Sequence, residues 1–198
     1  MKVWRSILFV GLYVAVTLAL WWATTRWVPV NVVFYAAMMV AAVAVPLSGA
    51  LGFLLGLFRQ HSGFEILQSL VICLLVGYAM AISVPTVIDR SLSFYILEKL
   101  QQRGGAIQEA RMGDVFVNEY MQEHQLVGIR LTEQMESGTV SVAQGCVRLT
   151  AKGDRLASFS RWFRHHLLPR RRLLMGDYTD RLVDPFAHSE SQPDYACP

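Results

Sequence analysis

Three long uncharged runs fill the front of the chain, and shorter apolar patterns broken by charge fill the rest. Residues 6–24, SILFVGLYVAVTLALWWAT, carry no charge over about the 20 residues that an α-helix needs to cross a ~30 Å hydrocarbon layer. Residues 32–58 and 66–88 repeat the pattern, so three membrane spans are predicted. Lys2, Trp4 and Arg5 flank the first run at one end and Trp21, Trp22, Arg26 and Trp27 at the other, as amphipathic rings and snorkelling cations do at lipid headgroups. A small-x-small cleavage site before polar sequence is lacking, so an uncleaved span is expected. The second run is longer than a bilayer requires and should tilt, or bend at Pro46. A re-entrant fold-back at Pro46–Gly49 is the alternative. Ser48, Gly52 and Gly56 recur every four residues and make one small-residue face, a contact signal between membrane helices.

From Ser91 the periodicity becomes that of a small folded domain. Leu92, Tyr95, Ile96 and Leu100 share one face of a helix over 91–102, which Gly104-Gly105 ends. A second helix over 112–124 lines up Val115, Phe116, Tyr120 and Met121, with Glu119, Gln122 and Glu123 turned outward. A third covers 127–136. Strands over 139–143 and 146–150 flank Gln144-Gly145, a two-residue hairpin signal, and a last helix runs from Ala151 to about Leu168, before Pro169. The predicted fold class is an α-helical membrane protein with three transmembrane helices followed by a small α+β domain. Its parts are a transmembrane domain over 1–88, a soluble domain over 89–174, and an arm and frayed tail over 175–198.

Composition sharpens the boundary. Of 198 residues 54% are hydrophobic, against about 45–50% in ordinary globular chains. Lys2, Arg5, Arg26, Arg59 and Glu65 are the charged residues ahead of Asp89, and fourteen bases and fourteen acids follow. A balanced second half gives no electrostatic footprint for nucleic acid. Fifteen Arg against three Lys fits a GC-rich bacterial source. Cys73, Cys146 and Cys197 have no close spacing, which argues against a disulfide framework or a zinc knuckle, and free thiols in the second half fit a reducing compartment. Counting Lys2, Arg5 and Arg59 on one side against Arg26, Arg90, Lys99 and Arg103 on the other leans the C-terminal half toward the cytoplasm of a bacterial inner membrane.

The order helix, helix, helix, hairpin, helix is that of a winged helix. Over RLTEQMESGTVSVAQGCVRLTAKGDRLA the chain also resembles regulators of the multiple-antibiotic-resistance type, in which a helix runs into "L..G.V", a wing follows, and then "LT.KG..L". Leu131, Gly138, Val140, Leu149, Thr150, Lys152, Gly153 and Leu156 match that pattern. The resemblance implies a DNA-binding dimer with its third helix in the major groove. Glu133 and Glu136 beside a single Arg130 on that helix oppose phosphate contact, and the wing tip carries no base, so a protein-contacting module is expected instead.

Candidate chemistry is sparse. No catalytic motif, phosphate loop or metal-ligand spacing is present, so no catalytic residue, metal or cofactor is assigned. The uncharged spans argue against a transport path. Arg161, Arg164, Arg170, Arg171 and Arg172, interleaved with Trp162 and Phe163, form a basic contact patch suited to anionic lipid or an acidic partner surface. Asp89 and Arg90 mark the exit of the third span as an interfacial pair. These features point to a non-catalytic accessory or scaffold subunit of a bacterial inner-membrane complex. Its expected partners are membrane lipids and a larger membrane protein or further copies of itself, in a setting such as cell-envelope glycan or glycolipid assembly. The alternatives are a membrane-tethered winged-helix transcription regulator and a small membrane enzyme acting on a lipid-linked substrate near Asp89 and Arg90.

Overall fold

The structure, a computed structural model, describes residues 2–187 and Cys197; the frayed tail expected over 188–198 otherwise lies outside the described residues. The chain divides into two compact units, Met1–Leu126 and Val127–Pro198. The composition change at residue 89 is therefore not where packing divides.

Unit 1 begins with three helices long and apolar enough to cross a membrane: α1 (Lys2–Trp27), α2 (Val33–Leu54) and α3 (Gly63–Arg90). Each buries one stripe at helical spacing. In α1 the stripe is Phe9, Tyr13 and Thr17, and in α3 it is Ser69, Cys73, Gly77 and Ala81. The stripe of α2 includes Ala37, Ala41, Ala44, Ser48 and Gly52. Small residues on two of the three helices allow backbones to approach closely, which is where helix association in lipid finds its van der Waals contact. A Cβ at Gly77 would overlap the Tyr13 hydroxyl, and one at Gly52 would lie 2.9 Å from the Phe9 ring. The space at Gly77 lets Tyr13 Oη donate to the Ala41 carbonyl, 3.0 Å away.

At one end of the bundle the α2–α3 turn is tied to the start of α1. Ser62 and Glu65 form a capping box on α3, Lys2 Nζ reaches Glu65 Oε1 at 3.0 Å, and Ser6 Oγ lies 3.0 Å from His61 Nε2. Two details depart from the sequence expectation, and the re-entrant alternative is not taken up. α2 ends at Leu54 rather than near Phe58, and Gly56 sits in the following turn with φ +68°, so it is not on the Ser48–Gly52 face. The helix passes through Pro46 without folding back, because the ring is accommodated within a helix whose other backbone bonds continue. Finally α3 contains a π turn, Ile82–Thr86. Pro85 cannot donate to the Ala81 carbonyl four residues earlier, and the Thr86 hydroxyl donates to it instead at 2.8 Å.

The rest of unit 1 is α4 (Leu92–Gln102) and a composite helix α5. The latter joins a 3-10 turn Glu109–Arg111, α turns Met112–Asp114 and Met121–Glu123, and a π turn Val115–Tyr120 between them. Tyr95, Val115 and Tyr120 form its buried cluster.

Unit 2 holds α6 (Leu126–Glu136, its first residue shared with unit 1), β1 (Val140–Ala143), β2 (Cys146–Leu149), α7 (Ala151–His166), β3 (Arg172–Leu174) and β4 (Asp177–Thr179). β1 and β2 pair antiparallel with Ala143 opposite Cys146. Their turn residues Gln144 and Gly145 have φ of 52° and 74°, the left-handed pair that a tight two-residue hairpin requires. β3 and β4 make a second hairpin across Met175 and Gly176, with φ of 50° and 102°. This hairpin begins within the last residues of the expected soluble domain and continues into the expected arm.

The "LT.KG" stretch has a local structural task. Thr150 caps α7 by accepting from the Gly153 amide at 3.1 Å, and Lys152 Nζ donates to the Ser137 carbonyl at the end of α6. A Cβ at Gly153 would overlap the Thr139 carbonyl oxygen. Cys146, 5% exposed, is joined to Cys197 by a disulfide with Cα atoms 5.9 Å apart, across 51 residues. Linear spacing gave no sign of this bond because the fold, not the sequence, brings the two thiols together.

Two substitution pairs test these contacts. Gly77→Leu should destabilise the full chain in detergent by the about 1–3 kcal/mol typical of overpacking, seen as a lower thermal midpoint. Gly11→Leu, where a Cβ meets nothing within 4 Å, should leave it unchanged. Gly153→Ala should destabilise unit 2 by a similar amount, and Thr150→Val by about 1 kcal/mol through loss of the cap; amide exchange of residues 139–153 reads both.

Candidate functional site

Two places in the described residues stand out as candidate sites. The first is an ion network in unit 1. Tyr95, Lys99 and Arg103 follow one another at four-residue intervals and meet Glu119 and Glu123, four residues apart on α5. Lys99 Nζ lies 2.8 Å from Glu119 Oε2 and 2.6 Å from Glu123 Oε1, and the lysine side chain is 4% exposed. Arg103 Nη2 reaches Glu119 at 2.9 Å, and Tyr95 Oη donates to Glu123 Oε2 at 2.9 Å. The Tyr95 and Tyr120 rings pack at 4.6 Å, with His124 at 5.1 Å from Tyr95.

Sequence periodicity sends Glu119 and Glu123 outward and leaves Lys99 unremarked. The structure turns both acids toward α4, because the π turn widens α5 by a residue and rotates its later positions relative to a regular helix. Hydrogen bonds to Glu119 and Glu123 raise the Lys99 pKa above its ordinary value. The Lys99 contact lowers both carboxyls, assisted by Arg103 at Glu119 and by Tyr95 at Glu123. Burial, and then the bond to Glu123, raises the Tyr95 hydroxyl. At neutral pH the cluster thus offers neither a neutral amine nor an unengaged carboxylate base, and its chemistry is that of a clamp holding α4 against α5.

The second place is α7. Phe159 and Trp162 stack with centroids 6.0 Å apart, Trp162 and His166 at 5.4 Å, and Phe159 meets Phe163 at 6.0 Å. Spacings of three and four residues put these rings on one helix face, yet Phe159 is 58% and Trp162 49% exposed. Arg161 is exposed and Arg164 half-buried, the latter with its guanidinium 6.0 Å from the Phe186 ring. Arg164, His165, Asp184 and Phe186 line a shallow groove between α7 and the chain after β4. Arg170 and Arg171 are exposed in the connection to β3, and Arg172 is half-buried in that strand. The five arginines therefore lie on a helix, a loop and a hairpin rather than on one basic helix end.

Asp89 is exposed and Arg90 half-buried in the last turn of α3, beyond the π turn. Ser48 is fully buried, its hydroxyl donating to the Val45 carbonyl of its own helix, and Gly52 packs on the Phe9 ring of α1. The four-residue stripe Ser69, Cys73, Gly77 and Ala81 does the same work on α3; the small-xxx-small rule that marks Ser48 and Gly52 would have found it. The Lys99 cluster had a weaker signal, since Lys99 interrupts an otherwise apolar face.

Compared with family models, curated proteins and solved structures, the chain matches none.

The network predicts a pH response. Carboxyls lowered on folding contribute stability that is present above their ordinary pKa of 4.5 and is lost as pH falls through the lowered values. The raised lysine contributes below 10.5 and is lost only as pH rises beyond it. Proteolysis of the full chain in detergent should therefore spare residues 92–126 at pH 7 and open them below pH 4.5. Lys99→Met should open them already at pH 7, with little further change at pH 3; equal protection of variant and parent at pH 7 would remove the clamp role.

Proposed function

We propose that the chain is a non-catalytic accessory or scaffold subunit of a bacterial inner-membrane complex. The three helices anchor it, and unit 2 docks a partner through the α7 face. The observation that carries this reading is the exposed, mutually stacked row Phe159, Trp162 and His166 bordered by arginines. Aromatic residues and arginine are the types enriched where protein surfaces anchor one another, and stacking within the row lowers the ordering cost of docking. The polar clusters support the same reading, since the Lys99 network is committed to holding two helices. A setting in cell-envelope glycan or glycolipid assembly suits a small membrane-anchored subunit of this kind.

A second reading, a membrane-tethered winged-helix regulator, draws on the order of α6, the hairpin and α7 and on Arg148, exposed on β2. Against it, Arg130 Nη1 is paired with Glu133 at 2.8 Å, which removes the one base of α6 from phosphate contact. The hairpin tip, Gln144-Gly145, is uncharged.

A photoreactive amino acid at position 162, introduced in cells, should capture a discrete protein partner, and Phe159→Ala with Arg161→Ala should reduce the capture at least tenfold. Adducts formed only with lipid would count against docking. Full-length chain in detergent should show no salt-dependent binding to random duplex DNA at micromolar concentration; such binding would favour the regulator.

A further inference from the structure

Two independent features bear on which side of the membrane unit 2 occupies. The contacts between Lys2 and Glu65 and between Ser6 and His61 put the start of α1 and the α2–α3 turn at one end of the bundle. The α1–α2 connection and the exit at Arg90 are at the other. The basic residues that set orientation are those in short connections, because segments beyond about 60 residues cross largely regardless of charge. The stretch after Arg90 runs to residue 198 and is longer than that limit. Counting short segments alone leaves Lys2, Arg5 and Arg59 at the first end against Arg26 at the second. Three against one retains the first end in the cytoplasm.

The second feature is the bond between Cys146 and Cys197. Cytosolic glutathione and thioredoxin keep such thiols reduced in most bacteria, whereas an exported compartment holds them oxidised. Cys146 is buried against unit 2 at the end of β2, so the bond fastens chain from beyond the second hairpin to the first.

We propose that unit 2 lies on the exported face of the membrane, where an oxidising dithiol–disulfide protein converts Cys146 and Cys197 into a structural disulfide. One cysteine thiolate attacks the oxidant's disulfide and expels one of its sulfurs, giving a mixed disulfide. The second cysteine thiolate then displaces the remaining sulfur. The chain loses two electrons and two protons, and the oxidant leaves as a dithiol. Cys73, fully buried in the bundle, takes no part. This orientation reverses the cytoplasmic placement obtained when Arg90, Lys99 and Arg103 are counted with Arg26, because that count gives weight to residues in a long segment. The accessory-subunit reading stands with either orientation; the DNA-binding reading does not survive this one.

The test has two arms on the full chain expressed in a bacterial inner membrane. A phosphatase that folds only after export, fused after Pro198, should be active, and a fluorescent protein that matures only in the cytosol should stay dark there. Separately, the unfused chain is acid-quenched, denatured and alkylated with a maleimide-linked polymer. It should gain one adduct without reductant, at Cys73, and three with it. The double variant Cys146→Ser, Cys197→Ser should gain one under both conditions, which assigns the two protected thiols even if that variant folds poorly. A fluorescent and phosphatase-silent C-terminus, or three adducts before reduction, overturns the proposal.

Discussion

Close backbone approach within an apolar bundle is the constraint on which unit 1 depends. The three helices are long and apolar enough to cross a membrane, and lipid would provide no hydrophobic drive between them, so their association would rest on contact area and on the few hydrogen bonds available. The Tyr13 hydroxyl donates to the Ala41 carbonyl only because position 77 has no side chain. Phe9 reaches α2 only because position 52 has none. Once α1 is seated there, Lys2 and Ser6 come within reach of Glu65 and His61, and the polar end of the bundle closes. The π turn at Pro85 obeys the same rule at the level of the backbone: a carbonyl freed within the apolar segment is taken up by a hydroxyl one residue further on.

Elements set by long, simple patterns were legible in the sequence. The three apolar runs predict three helices suited to crossing a membrane, and Gln144-Gly145 predicts the first hairpin with its register, since an uninterrupted pattern over twenty residues or a two-residue turn needs no distant partner. What escaped depends on such partners. Glu119 and Glu123 turn toward Lys99 on α4 because of a π turn that no periodicity announces. The second hairpin hides behind Met175, an unusual residue for a left-handed turn position, although the adjoining Gly176 was a signal. The disulfide joins residues 51 apart, a distance at which spacing rules say nothing. For the candidate site, residue types were readable along 160–174, but their division among helix, loop and strand was not.

The two units answer different physical demands. Unit 1 uses small residues and an ion network around the buried Lys99 to hold its helices together. Unit 2 is a short chain with little core, and it relies on tight turns, the Thr150 cap and a covalent tie to hold its shape; small domains commonly need such staples. Phe159 and Trp162, among its largest side chains, keep about half of their surface exposed along α7. The proposed docking role is the use that such exposed apolar side chains would serve.

Native mass spectrometry of the chain released in mild detergent from its own membranes tests the account most directly. The account predicts a complex in which the 22.3 kDa chain is accompanied by at least one different polypeptide, and which loses that polypeptide when Phe159 and Trp162 are both replaced by alanine. A mass of a single unaccompanied chain, unchanged by those replacements, would contradict it.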